Sequence, residues 1–150
     1  MSFKYDVLGH VRFGYELNDI LTLKGIKDID SFLHPSTKHV ESEKLFDNIE
    51  KARDVYMHHV SQNHIIDLLV DCDVDGYTSG ANIYQYTKRI NPSIEIRCFI
   101  HNRKVHGLSE FIDSMCSDNS SLVIIPDAGT DDWKECQRLI DNNKDVIILD

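Results

Sequence analysis

Apolar residues follow two rhythms along this chain, and the rhythms alternate. From His64 to Val70 they run almost unbroken, as in a strand buried on both faces. Ile94, Ile96, Cys98 and Ile100 alternate with polar residues, the period-two pattern of a strand. Residues 122–126 and 145–149 are two further short apolar runs. Between the runs, the apolar steps lengthen to three and four. Leu45, Ile49, Ala52 and Tyr56 predict an amphipathic helix over 41–61, and residues 79–90 predict another, stopped by Asn91-Pro92. A short helix is expected over 109–115 with Ser109 as its cap, and one more over 131–141. Ahead of these, residues 15–23 read as a short helix, and Ser31-Phe32-Leu33-His34-Pro35 ends in a turn-forming proline. Strand–helix–strand alternation with short connections implies right-handed crossovers. The expected fold is therefore α/β, a doubly wound, mainly parallel sheet with helices on both faces. A lead-in segment, 1–40, precedes the α/β domain, 41–150.

The strands end on acid. Leu68-Leu69-Val70 stops at Asp71-Cys72-Asp73-Val74-Asp75-Gly76, Val123-Ile124-Ile125-Pro126 stops at Asp127-Ala128-Gly129, and Val146-Ile147-Ile148-Leu149 stops at Asp150. In a parallel sheet the strand C-termini share one edge, where ligands bind. Carboxylates gathered there resist ionisation unless a cation offsets them. Hard oxygen ligands at short spacing suit magnesium or manganese. The Asp71 loop also opens like a calcium-binding EF-hand loop, but position twelve is Asn82 where that loop needs a bidentate Glu, and it follows a strand. A turn rich in Asp and Gly explains one Asp-Gly pair. It does not explain three alternate carboxylates with two more strands ending in Asp.

Composition narrows the class. The 150 residues suffice for one domain, and 41% hydrophobic with 27% charged residues is ordinary for a soluble globular protein. The N-terminus lacks a signal-peptide layout, and no apolar run approaches the ~20 residues of a membrane span, so cytoplasmic residence is expected. Cys72, Cys98, Cys116 and Cys136 are far apart, which disfavours a zinc knuckle or disulfide framework and leaves buried thiols. The net charge of −9 argues against a general nucleic-acid binder with a basic face. It leaves room for an enzyme acting on nucleic acid through bound cations.

Four segments, in order, carry a family resemblance. Asp71-Cys72-Asp73-Val74-Asp75-Gly76-Tyr77-Thr78-Ser79 resembles the first motif of the DHH phosphoesterases in its RecJ-type form. Asn102-Arg103-Lys104-Val105-His106-Gly107-Leu108-Ser109 is similar to the Arg-containing, Gly-rich loop after the second strand of that group. Pro126-Asp127-Ala128-Gly129-Thr130 resembles the second motif, Asp-x-Gly, and Val146-Ile147-Ile148-Leu149-Asp150 the start of the third, Asp-His-His. Phe32-Leu33-His34-Pro35 and the 41–61 segment match the RecJ-type lead-in. The resemblance spans about residues 30–150. The paired histidines expected after Asp150, the later aspartate motif and the second domain of the family are absent from the sequence. On that reading the DHH-type domain is incomplete at its C-terminus, through fragmentation or natural truncation.

The resemblance implies a metal-dependent phosphodiesterase, a 5′-to-3′ exonuclease on single-stranded DNA in its complete form, using Mn²⁺ or Mg²⁺, two ions in the full enzyme. Asp73, Asp75 and Asp127 are the candidate catalytic ligands, with Asp71 and Asp150 as further ligands or as groups that orient one. Thr78 and Ser79 are candidate caps of a phosphate-facing helix N-terminus, and Arg103, His106 and Gly107 candidate contacts to the substrate phosphate. The truncated chain alone is expected to be inactive. Hydrolysis of short oligonucleotides or cyclic dinucleotides is the alternative within this chemistry. A non-catalytic module that docks a protein partner on its acidic edge is the alternative outside it. His58-His59 sits mid-helix with side chains about 100° apart and is set aside. His101 is expected to be structural and Trp133 to be packed.

Overall fold

The computed structural model describes residues 16–101 and 107–150. The chain divides into two compact units between Phe46 and Asp47. In the first lie helices α1 (Leu17–Leu23) and α2 (Ile29–Leu33) and two single 3-10 turns, Thr37–His39 and Glu43–Leu45. Asp28 caps α2 by accepting the Ser31 N–H at 3.0 Å. The expected 41–61 helix is shorter than its apolar pattern suggested. Its first third is the 3-10 turn at 43–45, and Leu45 is exposed.

The second unit holds, in chain order, α3 (Ile49–Ser61), β1 (Ile66–Val70), α4 (Val74–Ile90), β2 (Ile96–Ile100), α5 (Ile112–Ser117), β3 (Leu122–Pro126), α6 (Trp133–Asp141) and β4 (Asp145–Leu149). Among the described residues the four strands form one sheet in the order β2-β1-β3-β4, every pair parallel. Strand alternation sends Leu68, Val70, Ile124 and Ile147 to one face, where Ala52, Val55, Tyr56 and Val60 of α3 and Ile83 of α4 cover them. It sends Leu69, Val123 and Ile125 to the other, against Ile112 and Met115 of α5 and Leu139 of α6. β1 and β3 are buried along their whole length, as the unbroken apolar runs require. The sheet is doubly wound, as the two rhythms implied.

Two corrections concern helix starts. α4 begins at Val74, inside the aspartate loop rather than at residue 79. Asp73 is its N-cap, accepting the Gly76 N–H at 3.1 Å, so the loop closes at once into a helical turn. The close approach of this helix needs glycine: a Cβ on Gly76 would lie 2.7 Å from Asp71 Cβ, and one on Gly80 2.9 Å from Val70 Cγ2. Ser109 is not a cap. It lies within a 3-10 turn, Leu108–Glu110, whose Leu108 N–H is taken at 2.7 Å by the Asp132 carboxylate across the strand edge.

The opposite, N-terminal edge of the sheet carries its own polar cluster. Asp67, fully buried in β1, pairs with its register partner Arg97 at 2.8 Å. Arg97 and the buried Lys144 both reach Asp118, at 2.9 and 2.6 Å, and Lys144 also donates to the Ser120 carbonyl and hydroxyl. Desolvation first, then the Asp118 carboxylate, push the Asp67 pKa up to about 6, while Lys144 holds Asp118 well below the usual carboxylate range despite its own partial burial. The four cysteines form no disulfide among the described residues, and Cys98 is exposed rather than buried. No helix among the described residues is long and apolar enough to cross a membrane.

Candidate metal centre

β1 and β3 are neighbours, so their C-terminal ends bring Asp71, Asp73 and Asp127 to one place. One carboxylate oxygen from each lies within 4.8 Å of the other two. Among the described residues this is the one group of three whose donor atoms are gathered so closely. Asp71 is buried, 2% exposed, Asp127 is half-buried and Asp73 is exposed, so the cluster opens outward from the strand edge. Asp127 stands at φ 64°, a left-handed conformation that aspartate adopts more readily than most residues. Its N–H is held by the Leu149 carbonyl at 2.9 Å, which turns the chain sharply after Pro126. Gly129 follows at φ 98°, where a Cβ would press on Ile125.

The electrostatics favour binding of a cation. Partial desolvation raises the Asp127 pKa, and repulsion from Asp75, Asp73, Asp71 and Asp150 raises it further. Three hard oxygen donors at this spacing match a small divalent ion of the magnesium or manganese type. Asp75 and Asp150 stand beside this group without joining it. Asp75 is exposed in the first turn of α4. Asp150 accepts from the Thr130 N–H at 3.2 Å and the Thr130 hydroxyl at 2.6 Å, which ties the end of β4 to the loop after β3.

Thr78 and Ser79 do not cap the helix; they lie within it, and their hydroxyls donate to the Asp75 and Gly76 carbonyls at 3.0 Å each. The capping role belongs to Asp73, whose negative charge also suits a helix N-terminus. Arg103 and His106 lie outside the described residues. Gly107 is described, at φ 86°, and a Cβ there would strike the Asp132 carboxylate. His101 is buried at the end of β2, its Nδ1 2.9 Å from Glu110 Oε2 and its Nε2 without a hydrogen-bond partner among the described residues. Trp133 is 69% exposed, so the expectation that it packs is corrected: as the first residue of α6 it points away from the core that Leu139 fills.

Sequence reading missed Asp131 and Asp132. Together with Gly107, Asp127, Gly129, Thr130 and Asp150 they line a cleft of about 430 Å³ beside the carboxylate group. The signal was present: two acidic residues after Asp-x-Gly-Thr and before an amphipathic helix are a cap pattern, and Asp132 uses its side chain across the edge instead.

No protein-family model matches the chain. It is 34% identical over 148 residues to a provisionally named prophage-derived single-strand DNA-specific exonuclease, YorK, of Bacillus subtilis strain 168, and equally so to its counterpart in Bacillus phage SPbeta. The alignment covers 98% of this chain and 25% of each relative. The structure superposes on RecJ from Thermus thermophilus in complex with Mn²⁺ with a TM-score of 0.57, at 20% identity over 68% of this chain and 14% of that one. A second structure, exonuclease RecJ bound to manganese, gives 0.60 at 21%, over 68% and 26%. The fold of this chain is RecJ-like. The solved structures show the shared fold. The RecJ-like chain spans about a quarter of the length of the curated relatives it matches.

Proposed function

We propose that this RecJ-like chain carries part of the metal centre of a divalent-cation-dependent phosphodiesterase that degrades single-stranded DNA from a 5′ end. The observation that supports it is the convergence of Asp71, Asp73 and Asp127 within 4.8 Å at the strand edge. Asp73 and Asp127 are the ligands, Asp127 reaching the ions from the neighbouring strand. Asp71, buried behind them, is the third. Asp75 extends the set from α4, and Asp150 orients the loop that bears Asp127 through Thr130. When bound, a pair of Mn²⁺ or Mg²⁺ ions supplies a hydroxide nucleophile at neutral pH and neutralises charge on the phosphoryl oxygens. The chain's own part is to hold the carboxylates preorganised. The Asp73 cap, the left-handed Asp127 and the close approach of α4 at Gly76 fix them before any ion arrives. Arg103 and His106 are assigned to the substrate phosphate on the resemblance, and a cytoplasmic location goes with a DNA substrate.

A chimera tests the proposal: this chain replaces the matching quarter of the Bacillus subtilis relative. The chimera is expected to degrade 5′-phosphorylated single-stranded DNA only with Mn²⁺ or Mg²⁺, and Asp127→Ala is expected to abolish this while circular dichroism stays unchanged. Undiminished degradation by a folded Asp127→Ala chimera would remove that carboxylate from the reaction.

A further inference from the structure

α3 ends in a Schellman motif. Asn63 takes the left-handed turn at φ 57°, its N–H reaches the Val60 carbonyl at 3.3 Å, and the His64 N–H reaches the His59 carbonyl at 3.1 Å. This geometry brings the side chain five residues on, His64, back onto His59. An apolar contact usually fills that place. At the end of α1 the corresponding positions, closed by the same two bonds, are Leu21 and Ile26. At the end of α3 it is two imidazoles, with His59 Nδ1 3.0 Å from His64 Nδ1. The His59 ring is fixed from its other side, since Nε2 meets the Asp145 carboxylate at 2.8 Å. With Nε2–H donating there, the Nδ1 of a neutral His59 carries its lone pair and points at His64. A ligating histidine is commonly oriented in this way, one nitrogen on a carboxylate and the other on the ion.

A third ring completes the patch. His58 is exposed, and its ring nitrogens make no hydrogen bond among the described residues. Its ring centre lies 5.3 Å from that of His59 and 5.8 Å from that of His64, and those two are 5.1 Å apart. Two imidazoles on one tetrahedral ion, with metal–nitrogen bonds of about 2.0–2.1 Å, place their ring centres ~5 Å apart. Among the described residues only Asp71, Asp73 and Asp127 have their donor atoms already gathered, so the His58 ring must turn about its outer torsion to join. Being exposed, it is free to do so.

We propose that His58, His59 and His64, with Asp145 holding His59, form a binding site for an imidazole-preferring divalent ion of the zinc, nickel or copper class. The ion takes the place of the proton between the two facing nitrogens, and neutral His64 keeps its proton on Nε2. Asp145 opens β4 and His64 precedes β1, so this site lies at the N-terminal edge of the sheet, opposite the carboxylate centre. Its donor set is also different, nitrogen rather than oxygen, and selects a softer ion. The site would staple the end of α3 to the starts of β1 and β4.

The test uses Ni²⁺ and the full chain carrying Asp73→Asn and Asp127→Asn, which silence the carboxylate edge. Calorimetry should show one Ni²⁺ per chain, weakened by at least about tenfold in His64→Gln and further in His58→Ala/His64→Gln. On the unsubstituted chain, Ni²⁺ should broaden the ring resonances of His58, His59 and His64 before that of His101, a readout that does not depend on any variant folding. Unchanged affinity in the double histidine variant, or broadening that spares these three rings, would overturn the site.

Discussion

Asp127 shows how one residue's backbone can set a centre's charge. Its left-handed turn places the carboxylate among four others, and the crowding raises its pKa. A folded-state value above the unfolded one means that the associated stability is present at low pH and lost as pH rises through the folded value. At neutral pH the ionised group therefore works against the fold. Asp127→Asn, which suits the same backbone, should raise the melting temperature without metal and eliminate Mn²⁺ heats in calorimetry. Wild-type heats in that variant would remove the residue from the centre. Asp67 obeys the same sign at the far edge. Its contribution is full below the unfolded value of about 3.9 and is lost as pH rises through about 6. Asp118, held low, stays ionised across that window. Thermal melts should thus show higher stability near pH 5 than near pH 7.5, and Asp67→Asn should flatten the slope. An equal slope in Asp67→Asn would place the titration elsewhere.

Elements expose where sequence reading succeeds and where it stops. β3 and β4 were legible to the residue because each apolar run is bounded by polar residues; β3 is buried throughout, whereas β4, at the edge of the sheet, fully buries Ile147 alone. The start of α4 was not, because Asp-Val-Asp-Gly reads locally as a turn; only the contact of Gly76 and Gly80 with Asp71 and Val70 makes it a helix. Gly76→Ala separates these forces. Alanine gains ~1 kcal/mol of helix propensity, while overpacking against β1 costs roughly 1–3 kcal/mol. Urea denaturation should show a net loss of up to about 2 kcal/mol; a gain in stability would mean that the close approach is not needed. The carboxylate centre was partly legible. Asp71, Asp73 and Asp127 could be read from strand ends, but nothing in the sequence says that Asp150 turns to Thr130 or that Asp132 crosses to Leu108. His58 and His59, set aside on the helix pattern alone, lie in the last turn of α3 with ring centres 5.3 Å apart. What brings them a partner is the Schellman turn and a carboxylate 86 residues away, and periodicity carries no trace of either.

At the scale of the whole molecule the two edges of one sheet are chemically opposed. One gathers carboxylates that repel; the other pairs its acids with Arg97, Lys144 and His59. The first is the edge where carboxylates crowd around a half-open site that a hard cation can enter, so Mg²⁺, which avoids imidazole, should act there. An ion that binds the folded chain at ten times its dissociation constant adds ~1.4 kcal/mol. In a unit of this size that is roughly 5–10 °C in melting temperature. The increment should grow with Mg²⁺ concentration and vanish in Asp73→Asn/Asp127→Asn, whose metal-free melting temperature should already be higher. It should survive in His64→Gln, because that ring serves the opposite edge. A Mg²⁺ increment that persists without both aspartates would show that the strand-end carboxylates do not hold the ion. Loss of the increment in His64→Gln would show instead that the two edges are coupled through the sheet.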